Sequence, residues 1–437
     1  MGLAPRTQGI VRLILAIALP AIVTNITTPL LGLCDIAIAG HRGGAAFIAS
    51  LAVATSMFNM LYWGFGFLRM GSSGLTAQAF GASNREGQAL VLWRGVMIAV
   101  AAGVALVAVQ RPAASFLLRA MDVDPATSAY AMRYFRIVVW GAPAMLSLNV
   151  FTGWFLGMQN SRVPMWVSLL ADVSNIAVSL IMVFAVGLDI EGVAIGTLSA
   201  QWLSALVALC VCLIKFKPMG VSLSGIVSGS GLALFFRVNS DIFLRTLCLI
   251  AVTLWFTRCG AVQGDTMLAV NALVMQLFTL FSYVMDGFAF SSEALVGRWV
   301  GSGNREMLRL TVRTELNVGA VMAILFTILY FVCGDEIFRL LTSDEGVRAS
   351  AHDYLPWAIT IPLAGFMAFS CDGIMIGMGR TRAMLGSMAT AMAVFFGLYF
   401  MLFKPLGNHG LWIAFVAYLA TRGLILVALL RLRYLRQ

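Results

Sequence analysis

Apolar residues in this chain come in long stretches divided by short polar turns. The runs lie at about 8–40, 46–80, 86–110, 125–158, 161–187 and 191–215, then 228–260, 265–299, 305–333, 346–378, 381–404 and 408–432. At ~1.5 Å per residue each is long enough, as a helix, to cross a ~30 Å hydrocarbon layer. The pattern predicts an all-α polytopic membrane protein with twelve transmembrane helices. The first run is too long for the core of a signal peptide and lacks a small-residue cleavage pattern, so it is expected to persist as a helix. An even number of spans returns both termini to one side. That side carries Arg6, Arg85, Arg162, Lys215, Lys217, Arg298, Arg305, Arg380, Arg382, Arg431, Arg433 and Arg436, while the other collects Asp122, Asp124, Asp189, Glu191, Asp265, Asp335, Glu336, Asp344 and Glu345 with Arg42 and fewer other arginines. Basic residues favour the cytoplasmic side, so both termini are expected there.

The runs also repeat. Gly81-Ala82-Ser83-Asn84-Arg85-Glu86 recurs 220 residues later as Gly301-Ser302-Gly303-Asn304-Arg305-Glu306. Gly157, Met158 and Arg162 recur at the same offset as Gly377, Met378 and Arg382, and Tyr134 as Tyr354. Two six-helix lobes follow, an N-terminal lobe over 1–217 and a C-terminal lobe over 218–437. Because each repeat starts on the same face, the two are expected to be related by a pseudo-two-fold axis along the membrane normal. The stretch from Lys215 to Ser230, basic and then rich in Gly and Ser, is the expected linker. Ser83-x-x-Glu86 has the form of a helix-capping box.

Composition agrees with this class: 60% of the 437 residues are hydrophobic and 11% charged, against about 25% charged in soluble domains. The formal charge of +10 could suggest a nucleic-acid binder. The basic residues, however, sit at the ends of apolar runs and form no patch or arm, so nucleic acid is excluded as a partner. The seven cysteines lie in or beside apolar runs without metal-ligand spacing, and neither a disulfide nor a metal site is assigned. No cofactor is expected. No nucleophile or metal set suggests an enzyme, and His41, His352 and His409 all fall near the outer surface.

Within this apolar background the buried charges stand out. The first span is broken by Pro20, Asn25 and Pro29 and carries one acid, Asp35. A carboxylate in hydrocarbon costs several kcal/mol unless it is wetted, paired or protonated. Asp35 therefore faces a cavity, a partner or a proton, or holds a neighbouring helix. Its repeat mate is Trp255, so only the first lobe has this acid. Pro20 and Pro29 each remove a backbone bond and can hinge the helix or simply shape it. Arg69 is a packing or ion-pair residue, or else a contact for substrate. Phe151, Trp154 and Met158, near Asn149, are candidates to line a substrate cleft. In the second lobe Asp286, Glu293 and Asp372 form an internal network or a site of their own. Arg237, Asp241 and Arg245 follow at i,i+4 and suggest a ladder along helix seven.

Three stretches carry a family resemblance: Phe65-Gly66-Phe67-Leu68-Arg69-Met70-Gly71-Ser72-Ser73-Gly74-Leu75-Thr76-Ala77-Gln78, Gly153-Trp154-Phe155-Leu156-Gly157-Met158-Gln159-Asn160-Ser161-Arg162, and Asp286-Gly287-Phe288-Ala289-Phe290-Ser291-Ser292-Glu293-Ala294. They resemble the DinF-type branch of the MATE (multidrug and toxic compound extrusion) transporters, and the resemblance covers essentially the whole chain. It implies a monomer of two six-helix lobes in the bacterial cytoplasmic (inner) membrane. The implied activity is export of lipophilic, often cationic, small molecules against inward protons or sodium.

The same resemblance implies a coupling role for Asp35, which matches the first-helix acid of such transporters. Asn175 and Thr197 match polar residues that accompany it together with a fifth-helix aspartate. Here that aspartate is missing: its expected position is Ser179, while an acid appears seven residues earlier at Asp172. By helical rise Asp35, Ser179 and Thr197 lie within ~5 Å in depth, and Asp172 ~10 Å deeper. One acid under-charges a sodium site but suffices for a proton, so proton coupling is expected, with sodium coupling the alternative. Asp172 is then either a deeper relay or a structural hydrogen-bonding group. A lipid-linked precursor flippase of related architecture is a further alternative; it calls for a cationic cleft, and Arg69 is the one clear buried base of the first lobe.

Overall fold

The computed structural model describes residues 3–121, 123–218 and 221–434, and within helices it leaves aside the side chains of 3–6, 28, 39–46, 120, 223, 230, 433 and 434. Asp122 and Arg436, and the side chains of Arg6, His41, Arg42 and Arg433, fall outside that description. Helix dominates, and no strand occurs among the described residues. The twelve spans are α1 (Thr7–Ile38), α2 (Phe47–Gly81), α3 (Arg85–Ala108), α4 (Pro125–Gly157), α5 (Arg162–Ala185), α6 (Ile190–Phe216), α7 (Gly231–Val262), α8 (Asp265–Gly301), α9 (Arg305–Leu341), α10 (Leu355–Gly377), α11 (Thr381–Leu406) and α12 (Asn408–Leu432). Helical backbone runs unbroken over Leu3–Trp63, through Pro20 and Pro29, and so joins α1 to the start of α2.

The largest departure from the apolar pattern is at α9 and α10. α9 continues to Leu341, past the end of its apolar run, because Gly334 and Phe338 are buried on one face while the charges of Asp335, Glu336 and Arg339 stand on the other. Residues 346–352, expected at the start of the tenth span, belong to a separate short helix, Glu345–His352.

The chain forms two compact units: Leu19–Asn239, and Ser240–Gln437 together with Met1–Ala18. Their edges fall inside α1 and α7, whereas the repeat boundary inferred from sequence falls at 217/218. Inside each unit the helices pair in the same way. α2 packs on α3 and α4, α4 on α3 and α6, and α5 on α6; in the other unit α8 packs on α9 and α10, α10 on α9 and α12, and α11 on α12.

The tightest crossings in both units use a small-xxx-small spacing, Gly153 with Gly157 in α4 and Gly373 with Gly377 in α10, which lets two backbones approach. A Cβ on Gly157 would lie 2.7 Å from the Ser73 carbonyl oxygen of α2, and one on Gly377 2.9 Å from the Glu293 carbonyl oxygen of α8, its repeat mate. Gly153 packs on the backbone of Arg69, which fixes that residue at the α2–α4 crossing with its side chain half-buried.

The repeated Gly-x-x-Asn-Arg-Glu turns start α3 and α9. The N-cap is Asn84, which accepts from Gly87 N at 2.8 Å, and Asn304, which accepts from Met307 N at 3.0 Å. Ser83 is not the cap that its spacing to Glu86 suggests. It sits one residue earlier in the left-handed region at φ 54°, as Gly303 does at φ 68°, and from there its hydroxyl is not in the N-cap position.

Candidate functional site

In the unit Leu19–Asn239 a row of polar side chains links α4, α5 and α6. Asn175 and Ser179 lie one turn apart on α5 and are both buried. Ser179 Oγ donates to Asn175 Oδ1 at 3.2 Å, and Asn175 Nδ2 donates to Thr197 Oγ1 of α6 at 3.2 Å. Thr197 in turn donates to the Val193 carbonyl at 3.1 Å. With that proton committed, the contact of 3.0 Å between Tyr134 Oη of α4 and Thr197 Oγ1 is a bond donated by the tyrosine. A hydroxyl has one proton and two lone pairs, so Thr197 is saturated.

Asp35 of α1 belongs to the same neighbourhood, since its charge acts on Tyr134. Its Oδ1 is buried and has no hydrogen-bond partner among the described residues. Asp172 lies deeper, against the Thr27 hydroxyl of α1, with its Oδ2 likewise buried and without a partner, yet within electrostatic reach of Asp35. Thr27 precedes Asp35 by eight residues and Asp172 precedes Ser179 by seven. Both helices thus give a separation of ~10–12 Å, as the helical rise requires. The two acids are distinct positions that sense each other.

The structure brings Asn175, Ser179 and Thr197 together and adds Tyr134, which the sequence reading used only as a repeat marker. A tyrosine in an apolar run has to find a partner for its hydroxyl, and that requirement was the available signal. Phe151 and Trp154 do not line open space. They are 3% and 1% exposed and pack with Phe155 in the core between α4 and its neighbours, the indole nitrogen donating to the Gln88 carbonyl at 2.9 Å. Burial of these two aromatic side chains outweighs a position in a cleft. Asn149 on the same helix and Met158, its C-cap, are half-buried.

The second unit has a different chemistry at the corresponding positions. Trp255, the mate of Asp35, packs edge-on against Phe396 and Tyr399, the latter being the mate of Ser179. Its buried charges lie elsewhere: Asp372 of α10 pairs with Arg245 of α7 and with Arg422 of α12, the latter at 2.7 Å. Arg245 therefore leaves the expected ladder on helix seven, and Asp241 instead accepts from Thr381 Oγ1 at 2.7 Å. Burying the Asp372 carboxylate carries a desolvation cost that one arginine alone offsets poorly, and Arg245 joins Arg422 in offsetting it. Asp286 contributes to the charge around Arg422, and Glu293 is buried on the same helix. Glu315 of α9, not singled out in the sequence, is buried too and accepts from Ser291 Oγ at 2.8 Å. No group of three or more metal-ligating side chains is found among the described residues.

Two groups outside the spans have shifted acidities. The Thr127 hydroxyl and backbone N–H hold Asp124, the cap of α4, below the usual carboxylate range. Asp335, bonded to His352 Nδ1 at 2.9 Å, raises the imidazole above its ordinary value.

Comparison with known proteins agrees with this architecture. The MatE family profile matches residues 20–181 and 241–401, one match per repeat. The chain is 34% identical to the DNA damage-inducible protein F of Escherichia coli (strain K12) over 417 residues, covering 95% of this chain and 91% of that protein. It is 23% identical to the probable multidrug resistance protein NorM of Geobacillus kaustophilus over 441 residues, covering 96% and 94%. A crystal structure of MATE in the bent conformation superposes with a TM-score of 0.88 at 18% identity, over 97% of this chain and 95% of that one.

Proposed function

The chain belongs to the MatE family of multi-pass membrane transporters, and from that premise we propose that it is an antiporter driven by protons that enter at Asp35. Its cargo is lipophilic, often cationic, small molecules, a reading supported by the likeness to the probable multidrug resistance protein NorM. The observation that carries the proton reading is that the polar row brings no second charge to Asp35 and has Thr197, its central oxygen, saturated. Thr197 has no lone pair left, and Asn175 has spent one on Ser179. A bound metal cation wants several oxygen ligands and compensating charge; with Thr197 saturated the row is short of the first, and it adds no second charge to the single acid at its depth. A proton needs one oxygen, and Asp35 Oδ1 has no hydrogen-bond partner among the described residues.

In this cycle Asp35 takes up a proton from the outer side and gives it up inside, and the two protonation states favour different bends of α1 at Pro20 and Pro29. Asp172 is the deeper relay, exchanging the proton with Asp35 through water that enters the ~10–12 Å between them. Both termini are cytoplasmic, and the working form is a monomer in the inner membrane.

Vesicles carrying the purified protein, with a pH gradient and a sodium gradient imposed separately, test this reading. Export is expected with the pH gradient alone, absent with sodium alone at fixed pH, and lost in Asp35→Asn at normal expression. Robust sodium-driven export by the parent overturns it.

A further inference from the structure

We propose that a groove between α9 and α12 binds one anionic phospholipid, its phosphate held by Arg309, Arg313 and Arg431 and its acyl chain laid along α9. The cavity there has a volume of about 550 Å³ and is lined by these three arginines with Leu316, Val427 and Leu430 among its apolar walls. All three arginines are exposed, and no carboxylate among the described residues pairs with any of them. Glu315, on the same helix, is buried on another face with Ser291. The basic charge is therefore available to a ligand.

The rest of the lipid follows from helical spacing. Arg309, Arg313, Asn317, Val321 and Leu325 follow one another at intervals of four and make one stripe on α9. Its basic members are exposed at one end, and its apolar members Val321 and Leu325 are 55% and 53% exposed further along. Charge at one end of an exposed stripe and bare hydrocarbon beyond it match a headgroup and a tail. α9 has 37 residues, ~55 Å of helix against a ~30 Å hydrocarbon layer, so its ends stand at headgroup level. A guanidinium one or two turns in can reach a lipid phosphate by extending along its own stem.

The first repeat lacks this arrangement. The mates of the three arginines are Ala89, Trp93 and Val211. There α3 is covered by the linker helix Leu223–Ile226, which Arg94 clamps through the carbonyls of Gly225 at 2.8 Å and Ile226 at 3.0 Å. A rule of charge placement for topology alone asks for basic residues in loops, not for a graded stripe down one exposed face of one lobe.

Lipid binding to the full chain in a neutral detergent, followed by native mass spectrometry, tests the site. Phosphatidylglycerol should bind saturably in one copy, and phosphatidylcholine and soluble glycerol 3-phosphate much more weakly. The variant R309Q/R313Q/R431Q should bind phosphatidylglycerol at least about tenfold more weakly, while R85Q/R162Q, which neutralises basic residues outside the groove, should bind as the parent does. Equal loss in both variants would mean diffuse charge attraction, equal competition by glycerol 3-phosphate would mean a bare phosphate site, and an unaffected triple variant would mean no site; each overturns the proposal. Photo-crosslinking of the unaltered chain with phosphatidylglycerol bearing a diazirine in its acyl chain gives an independent reading. Label on α9 and α12 supports the site, and label scattered over the other helices rejects it.

Discussion

Thr197 is the residue on which the candidate site turns, because its one oxygen accepts from Asn175 and Tyr134 and donates to Val193. Removing that oxygen strands two buried donors, and each costs about 1–3 kcal/mol when left unmade. Tyr134→Phe removes a donor and leaves only a lone pair behind, for about 1 kcal/mol. Thr197→Val should therefore lower the midpoint of thermal unfolding in detergent by at least twice the shift seen in Tyr134→Phe. Equal shifts would show that the bonds run differently. None of this ordering was legible in the chain itself. Asn175, Ser179 and Thr197 could be matched in depth by counting residues, but the direction of each bond, and Tyr134's membership, depend on which faces of α4, α5 and α6 meet. Asp372 shows the same limit: its burial was foreseeable from an apolar span, while its partners Arg245 and Arg422 come from helices 127 and 50 residues away.

At the scale of single elements, the crossing of α2 and α4 depends on a missing side chain. Gly157→Ala puts a methyl group 2.7 Å from the Ser73 carbonyl oxygen, and overpacking of this kind costs about 1–3 kcal/mol. Gly397 of α11 has open space around it, and Gly397→Ala should be neutral or stabilising because it reduces the freedom of the unfolded chain. The midpoint of thermal unfolding should fall in Gly157→Ala and hold or rise in Gly397→Ala. The short helix Glu345–His352 offers a test by pH. Asp335 raises the His352 imidazole, so the tie to α9 is fully present below the ordinary histidine value near 6.5 and is lost as pH rises through the raised one. Hydrogen exchange in residues 345–352, corrected for intrinsic rates, should quicken as pH climbs through that window, and His352→Gln should abolish the dependence. The elements themselves were largely legible, since twelve apolar runs became twelve spans. The exception, the end of α9, failed because an amphipathic helix outlasts its apolar run once one face stays buried.

At the scale of the whole molecule the two repeats share a framework and differ in chemistry. The same helix pairs meet in each unit, and the same glycines let them meet, yet an acid and polar row in one corresponds to an aromatic cluster in the other. The framework is written in small residues at a fixed offset and was visible as a repeat. The compact units were not, because their edges lie within α1 and α7, where no break in composition marks them.

The shared framework also makes each repeat a reference for engineering the other. Before α3 the left-handed turn position holds Ser83 at φ 54°, and before α9 its mate is Gly303 at φ 68°. A residue with a Cβ pays about 1 kcal/mol to sit there, and glycine pays little beyond its greater entropy when unfolded. Ser83→Gly copies the solution already used by the second repeat and should raise thermal stability by several tenths of a kcal/mol without touching the polar row. The same comparison at Gln159 and Gly379, φ 64° and 67°, predicts a smaller gain, because Gln159 also donates to the Gly157 carbonyl at 3.3 Å. A chain that contains its own homologue thus offers stabilising substitutions without an alignment, and melting curves of the two variants will show whether the second copy of a turn can serve as the consensus for the first.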